Sequence, residues 1–420
     1  MPEQPTDAPP VEVREELAEA AQRYDFPLDL VRRALALGMP PHNLASQIMS
    51  GMRPEVAEMF IARQEAALSG DPDKIVAPPL SLGWMQVPTE WGVRVKPGKK
   101  GLTLGSLNVG TYGDIPDHWP HQTELPRGAH PIPGVQSMGY TIYDKVDLWA
   151  DNAADLYEEG IARRWRPATE VPWETIEPLR QELERAMGQL CTYFCEKALL
   201  AGDVVAKWLP HMSYGYHEIK CFLAVTEMDV ARHFEVFRKR ALYNGGGLGL
   251  QSPGLFHRII LDARTWTEAS LHLHVVSDSF LLGLYQAGEW FAHNPAEKFI
   301  FRRAAEDVSR HVAYGLSHLK YVLQQQPERR AELHRYLNKS EMMMIHEDDS
   351  DSPRREALLI LLGGGLSKAQ LGVGACRLEG LRARWARDYL RRLEWVGLPE
   401  RRNLMHPTLR RYVLESPVAA

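Results

Sequence analysis

Asp229-Val230-Ala231-Arg232-His233 returns farther along the chain as Asp307-Val308-Ser309-Arg310-His311, and both copies sit inside long runs of helical spacing. The shared pattern is Asp-Val-x-Arg-His, with an aromatic residue in the following turn each time. Residues three and four apart lie on one helix face. Each copy therefore sets a carboxylate, a guanidinium and an imidazole side by side, and the two copies predict two helices that present matching polar faces.

Working outward, apolar residues recur at three and four over residues 142–161, 176–208, 216–243, 265–293 and 295–324. Pro167 with Pro172, Pro210, the glycines of 245–249 and Asn294-Pro295 separate these runs. Long helices joined by short links predict an all-α helix bundle. The segment Asn244-Gly-Gly-Gly-Leu-Gly follows a helix and lacks the Lys-Ser/Thr of a phosphate loop, so it reads as a helix link.

On these residues the chain resembles the ferritin-like di-iron carboxylate family, which includes bacterial multicomponent monooxygenase hydroxylases, the benzoyl-coenzyme A epoxidase component and the small subunit of ribonucleotide reductase. The likeness covers about residues 142–325. It implies a ferritin-like four-helix bundle in which the motif reads Asp-Glu-x-Arg-His, Glu and His binding iron and Asp supporting a histidine from behind. Asp229, Arg232, His233, Asp307, Arg310 and His311 match that pattern; Val230 and Val308 stand where the family has its glutamates. The two remaining helices of such a bundle each supply one carboxylate. Asp278 fits that place for His311. For His233 the corresponding region, residues 197–201, is apolar after Lys197, with Glu196 and Asp203 to either side.

Valine neither bridges nor ligates, so an intact di-iron centre is excluded and at most one iron or manganese is expected, if any. Three readings of His233, His311 and Asp278 stay open: a hydrogen-bonded polar core without metal; one metal on two histidines and a carboxylate, with Glu196 as the displaced carboxylate of the other half; or metal-free chemistry in the old cavity, for which Tyr193 is the redox residue to inspect. His272 and His274, two apart on a helix, point away from each other and do not share a metal. The function implied is a ferritin-like oxidoreductase homologue, oxygenase-like if active, binding or oxidising a small apolar organic molecule in the bundle cavity. The alternative is a non-catalytic subunit packed beside an active hydroxylase, or a homo-oligomer.

A net charge of -5 offers no basic field for nucleic acid. No apolar run is long enough to span a bilayer, and the Pro-rich, acidic start does not read as a secretory signal. Four cysteines in 420 residues make no disulfide framework, and Cys191, Cys195 and Cys221 fall in apolar helical patterns, which predicts buried free thiols in a reducing cytoplasm. The expected organisation is a disordered 1–10, a helical segment 11–71, a Pro/Gly-rich wrapping arm 72–140 with short strands around residues 84–95, the bundle 141–346 and a helical tail 347–420. The charged segment 347–353 is expected to separate the last two.

Overall fold

The computed structural model describes residues 13, 15–49, 51–70, 82–132, 134–244 and 246–414; the segment 1–10, expected to be disordered, lies outside them. The first described helices are short: α1 (Glu15–Arg23), α2 (Leu28–Ala36), α3 (Pro41–Met49) and α4 (Pro54–Ser69). They bury Leu17, Val31, Leu44, Ile48 and Ile61 in a small core of their own.

The arm that follows is extended and loop-rich, as its prolines require. It holds to the helices by specific bonds: the Leu104 backbone N–H donates to Glu158 at 2.6 Å, and Arg127 pairs with the buried carboxylate of Glu218. The strands expected around residues 84–95 are not formed. Residues Gly83–Gln86 make a single 3-10 turn, and Trp84 and Trp91 are exposed with no neighbouring strand to pair their backbone. Among the described residues only isolated bridges occur.

The helix expected over 142–161 is shorter than its periodicity. α5 covers only Ala153–Ala162. Upstream, the backbone is diverted: the Ile142 N–H donates to His211 O at 3.0 Å, Ser213 N–H donates to Ile142 O at 2.9 Å, and Trp119 N–H donates to Tyr143 O at 3.0 Å. With those groups engaged in cross-chain bonds, they cannot form a helical ladder.

The bundle proper comprises α6 (Gln181–Trp208), α7 (His217–Tyr243), a composite third helix and α11 (Pro295–Gln325). A short helix, α8 (Leu255–Leu261), precedes the third, which begins as α9 (Trp266–Ser270), widens to a π-helical turn over Leu271–Ser277 and continues as α10 (Asp278–Phe291). Capping fixes the starts: Thr265 accepts from Glu268 N–H at 3.1 Å, and Asn294 accepts from Glu297 N–H at 2.9 Å with Pro295 in the first turn. Leu190, Phe194, Phe237, Tyr285 and Phe301 interlock at one end, and Arg240 bonds Glu297 at 2.7 Å and also Glu184, tying three helices together. Cys191 and Cys195 are buried free thiols.

The rest is α12 (Arg330–Ser350), α13 (Ser352–Gly363), α14 (Lys368–Val396), α15 (Arg401–Leu404) and α16 (Pro407–Leu414). The charged segment 347–353 is no open spacer: α12 runs through it to Ser350, and Asp351 caps α13 by accepting from Arg354 N–H at 3.1 Å. These helices share one apolar core with the bundle. Among the described residues no single helix is long and apolar enough to cross a membrane.

Candidate functional site: a crossed Asp-Arg-His centre

α7 and α11 bring their two motifs face to face, and all six polar side chains are buried. The pairing is crossed. His311 Nε2 lies 3.2 Å from Asp229 Oδ2, and His233 Nε2 lies 3.2 Å from Asp307 Oδ2, so each aspartate serves the histidine of the other helix. The guanidinium groups bind both carboxylates. Arg310 donates to Asp229 at 2.8 Å and to Asp307 at 2.5 Å, while Arg232 donates to Asp229 and, at 3.1 Å, to Asp307.

Burial alone would raise both aspartate pKa values. The histidine hydrogen bonds and the neighbouring cations outweigh it, and hold Asp229 and Asp307 below the ordinary carboxylate range. Two carboxylates and two guanidinium groups thus close a charge-balanced quartet with a histidine at each end. Removing one member of such a buried set costs on the order of 3–5 kcal/mol, because the partner charge is left uncompensated.

The halves differ beyond this quartet. Beside His311, Asp278 places Oδ2 4.0 Å from Nδ1 and also bonds His274 Nδ1 at 2.9 Å. The π turn immediately before Asp278 aims His274 inward, and Gly315 on α11 makes room for it: a Cβ there would meet His274 Cβ at 2.6 Å. Burial pushes the His274 imidazole down in spite of the Asp278 bond, and its Nε2 has no hydrogen-bond partner among the described residues. His272 points elsewhere, to Ser340 at 2.5 Å and Glu268 at 3.4 Å, so the two histidines do point apart.

Among the described residues, His233 is paired with no carboxylate besides Asp307. Instead Tyr285 packs its ring edge-on against the imidazole, with centroids 5.8 Å apart, and its hydroxyl is unpartnered among the described residues. Both oxygens of Glu196 accept from Ser252 N–H at 3.1 and 3.3 Å, which engages them outside the crossed network. Tyr193 lies under two cations, 5.2 Å from Lys197 Nζ and 4.7 Å from the Arg354 guanidinium carbon. Val230 and Val308 are buried.

Neither Trp165, whose buried Nε1–H donates to Asp307 Oδ2 at 2.9 Å beneath Arg232, nor Tyr285 stands out from the sequence pattern. A lone tryptophan carries no periodic signal, and a tyrosine at helical spacing reads as core. His274 stands four residues before Asp278, the spacing of one helix face.

Val230 and Val308, on the helices of the two histidines, carry no ligating atom, so they supply no carboxylate to a two-metal cluster. Among the described residues no three His, Cys, Asp or Glu side chains converge as a metal site. What the arrangement can do as it stands is hold and pass protons. Asp229, His311, Asp278 and His274 form a chain of groups, with one gap of 4.0 Å between His311 and Asp278.

Two antiparallel pairs of long helices, with inward Asp-x-x-Arg-His motifs related by a pseudo-twofold, settle the architecture. The fold is a ferritin-like helical bundle. No family model matches the chain, and no curated protein matches it. Among solved structures, it is similar to an R2-like ligand-binding oxidase with aerobically reconstituted Mn/Fe cofactor, at 16% identity, covering 61% of this chain and 94% of that one with a TM-score of 0.39. A point mutant of that oxidase matches at 15% identity over 57% of this chain and 91% of the other, with a TM-score of 0.42. At that distance the likeness transfers no residue role to this ferritin-like chain.

Proposed function

We propose that this chain is a ferritin-like oxidoreductase homologue with a non-standard centre, holding one metal ion or none, that takes up a small apolar organic molecule between its helices. The observation that carries the reading is the direction of the two histidines. Each is held through Nε2 by the opposite aspartate, and His311 Nδ1 faces Asp278 Oδ2 at 4.0 Å. A structural polar core would be served by the quartet alone. The pre-set imidazoles, with Val230 and Val308 as apolar neighbours, support a used site.

Metal analysis of protein produced in iron- and manganese-supplemented medium tests the centre. At most one ion per chain is expected; two coupled irons per chain would overturn the reading. Binding of small apolar probes is then compared in the parent and in Val230→Phe, which adds bulk on the helix face that carries His233. Unchanged binding removes the substrate part of the proposal.

One feature favours the second reading, a subunit that packs beside an active hydroxylase. The arm carries Trp84 and Trp91, 72% and 96% exposed, with Met85, Leu107, Ile132 and Met138 also exposed. Light scattering of this chain mixed with a ligand-complete hydroxylase from the same source distinguishes the readings. A stoichiometric complex that Trp91→Glu abolishes supports the subunit role, and two separate species dismiss it.

A further inference from the structure

A groove of about 340 Å³ runs between α10 and α14, and no side chain of the crossed quartet or its histidines lines it. Its α10 wall is Ser279, Gly283, Ala287 and Trp290; its α14 wall includes Arg377, Leu381, Arg384, Asp388 and Arg392. Both sets follow each other at three and four, so each is one face of its helix. Small residues open the space. A Cβ on Gly380 would meet nothing within 4 Å, and one on Gly283 would meet only the Trp385 side chain, with Cδ1 at 3.6 Å.

Three buried atoms on these walls have no hydrogen-bond partner among the described residues: Ser279 Oγ, Trp385 Nε1 and Arg392 Nη1. All three can donate. Ser279 and Trp385 are only 1% and 4% exposed, and buried polar atoms are ordinarily paired. The Trp385 edge next to Nε1 faces Gly283, one turn from Ser279 on the same face of α10. Helical side chains lean towards the N-terminus of their helix, so the long Arg392 side chain reaches back along α14 towards Asp388 and Trp385.

The charges here are unbalanced. Asp388 is the one carboxylate on the walls among the described residues, and it bonds Arg391 and lies 3.8 Å from Arg384. Arg392 has no ion pair among the described residues, so three guanidinium groups stand against one carboxylate. The other acids of the two helices are engaged elsewhere: Asp278 with His274 at 2.9 Å, Glu289 with Arg302 at 2.7 Å, Glu379 with Arg382 at 2.8 Å and Glu394 with Arg402 at 3.0 Å. Unmet donors beside an excess of positive charge call for an anion rich in acceptor oxygens. A carboxylate offers two oxygens and a single charge, whereas a phosphate monoester offers three oxygens and about two charges near neutral pH. The groove lies at the lower end of the roughly 300–1,000 Å³ of small-molecule pockets, which leaves room for a small body as well.

We propose that this groove binds a phosphate monoester with a small apolar body, its phosphate oxygens taken by Ser279, Trp385 and Arg392 and its body lying against Gly283, Ala287 and Leu381. The site is separate from the crossed centre and does not depend on what that centre holds. Phenyl phosphate is the probe, followed by calorimetric titration of the full chain, with inorganic phosphate as the head alone and benzoate as a singly charged anion on the same ring. Phenyl phosphate should bind roughly tenfold or more tightly than either. Arg392→Met should weaken it by a similar factor, whereas Arg402→Gln, which removes a like charge outside the groove, should leave it unchanged. Gly380→Leu puts a side chain into the groove where no neighbour is strained, and should weaken binding as much as Arg392→Met does. Arg392→Gln replaces Arg392→Met if the latter does not fold. No binding of phenyl phosphate to the parent, equal affinity for the three anions, unchanged affinity in the Arg392 variant, an equal loss in Arg402→Gln, or full affinity in Gly380→Leu each overturns the proposal.

Discussion

The two halves of the centre carry the same five-residue motif, yet only one stands beside a further carboxylate and a further histidine. Around His311 stand Asp278 and His274, positioned by the π turn; around His233 stand Tyr285 and an apolar wall. The quartet between them is shared. The lesson is that the motif fixes the orientation of a histidine, whereas what that histidine faces is set by the other helix pair.

The largest effect expected is on the shared part. Asp307→Ala leaves two buried guanidinium groups short of a carboxylate, and should cost about 3–5 kcal/mol in denaturant unfolding. Asp229→Ala should cost about 1 kcal/mol less, because Trp165 donates only to Asp307. Equal losses would mean that Trp165 adds nothing and that the quartet is symmetric.

The second test separates the halves. Val308→Glu puts a carboxylate on the helix of His311, which already faces Asp278; Val230→Glu adds one on the helix of His233, which faces Tyr285. Manganese or iron should raise the melting temperature of Val308→Glu clearly more than that of Val230→Glu, and that of the double variant most. Without metal, each single variant should be less stable than the parent, since it buries a carboxylate without a partner. If metal leaves all three unchanged, the histidines no longer stand in ligating orientation and the metal part of the proposal falls.

A smaller change is expected from Gly315→Ala. The added methyl would press on His274 Cβ, part of the main body of the residue, and should cost about 1–3 kcal/mol. The same substitution at Gly283, where a Cβ would meet only ordinary contacts at 3.6 Å, should be near neutral and is the control.

Acid titration gives the mildest effect, in two windows. Burial lowers the His318 imidazole to about 4 and lowers His274 as well. The unfolded chain then binds protons that the folded chain refuses, so stability falls as pH drops from about 6.5, the ordinary imidazole value, towards those lowered values. Asp229 and Asp307 are depressed, so their contribution is fully present above the ordinary carboxylate value of about 3.9 and is lost only as pH falls further. His318→Asn should make the first window shallower, since His257, His272 and His274 remain lowered, and should leave the second unchanged.

Much of this was legible in the sequence. Periodicity and proline positions place α6, α7 and α11 within a few residues, and the doubled motif puts their polar faces together. The limits have physical causes. The 142–152 stretch has helical spacing but spends its backbone bonds on the arm and on the turn after α6. A π turn over Leu271–Ser277 leaves no mark in the period, whereas the His274–Asp278 pair stands at the i, i+4 spacing of one helix face and was there to be read. The crossing of the aspartates depends on how α7 meets α11 and has no mark in either motif. Glu196 and Tyr193 share a helix with the expected ligand region, but their partners, Ser252 and Arg354, come from loop and tail segments distant in sequence.

The crossed quartet also bears on how such a centre drifts over generations. Loss of either aspartate alone strands two guanidinium groups, and loss of either arginine alone bares a carboxylate, so every one-step path out of the quartet passes through a weakened intermediate. Coordinated exchange on both helices is the only level route. The uncharged positions 230 and 308 face no such obstacle and can wander singly. A centre built this way changes readily at positions 230 and 308 and hardly at all in its Asp-Arg-His frame. A library randomised at positions 229, 232, 307 and 310 should accordingly return folded members only in charge-balanced combinations.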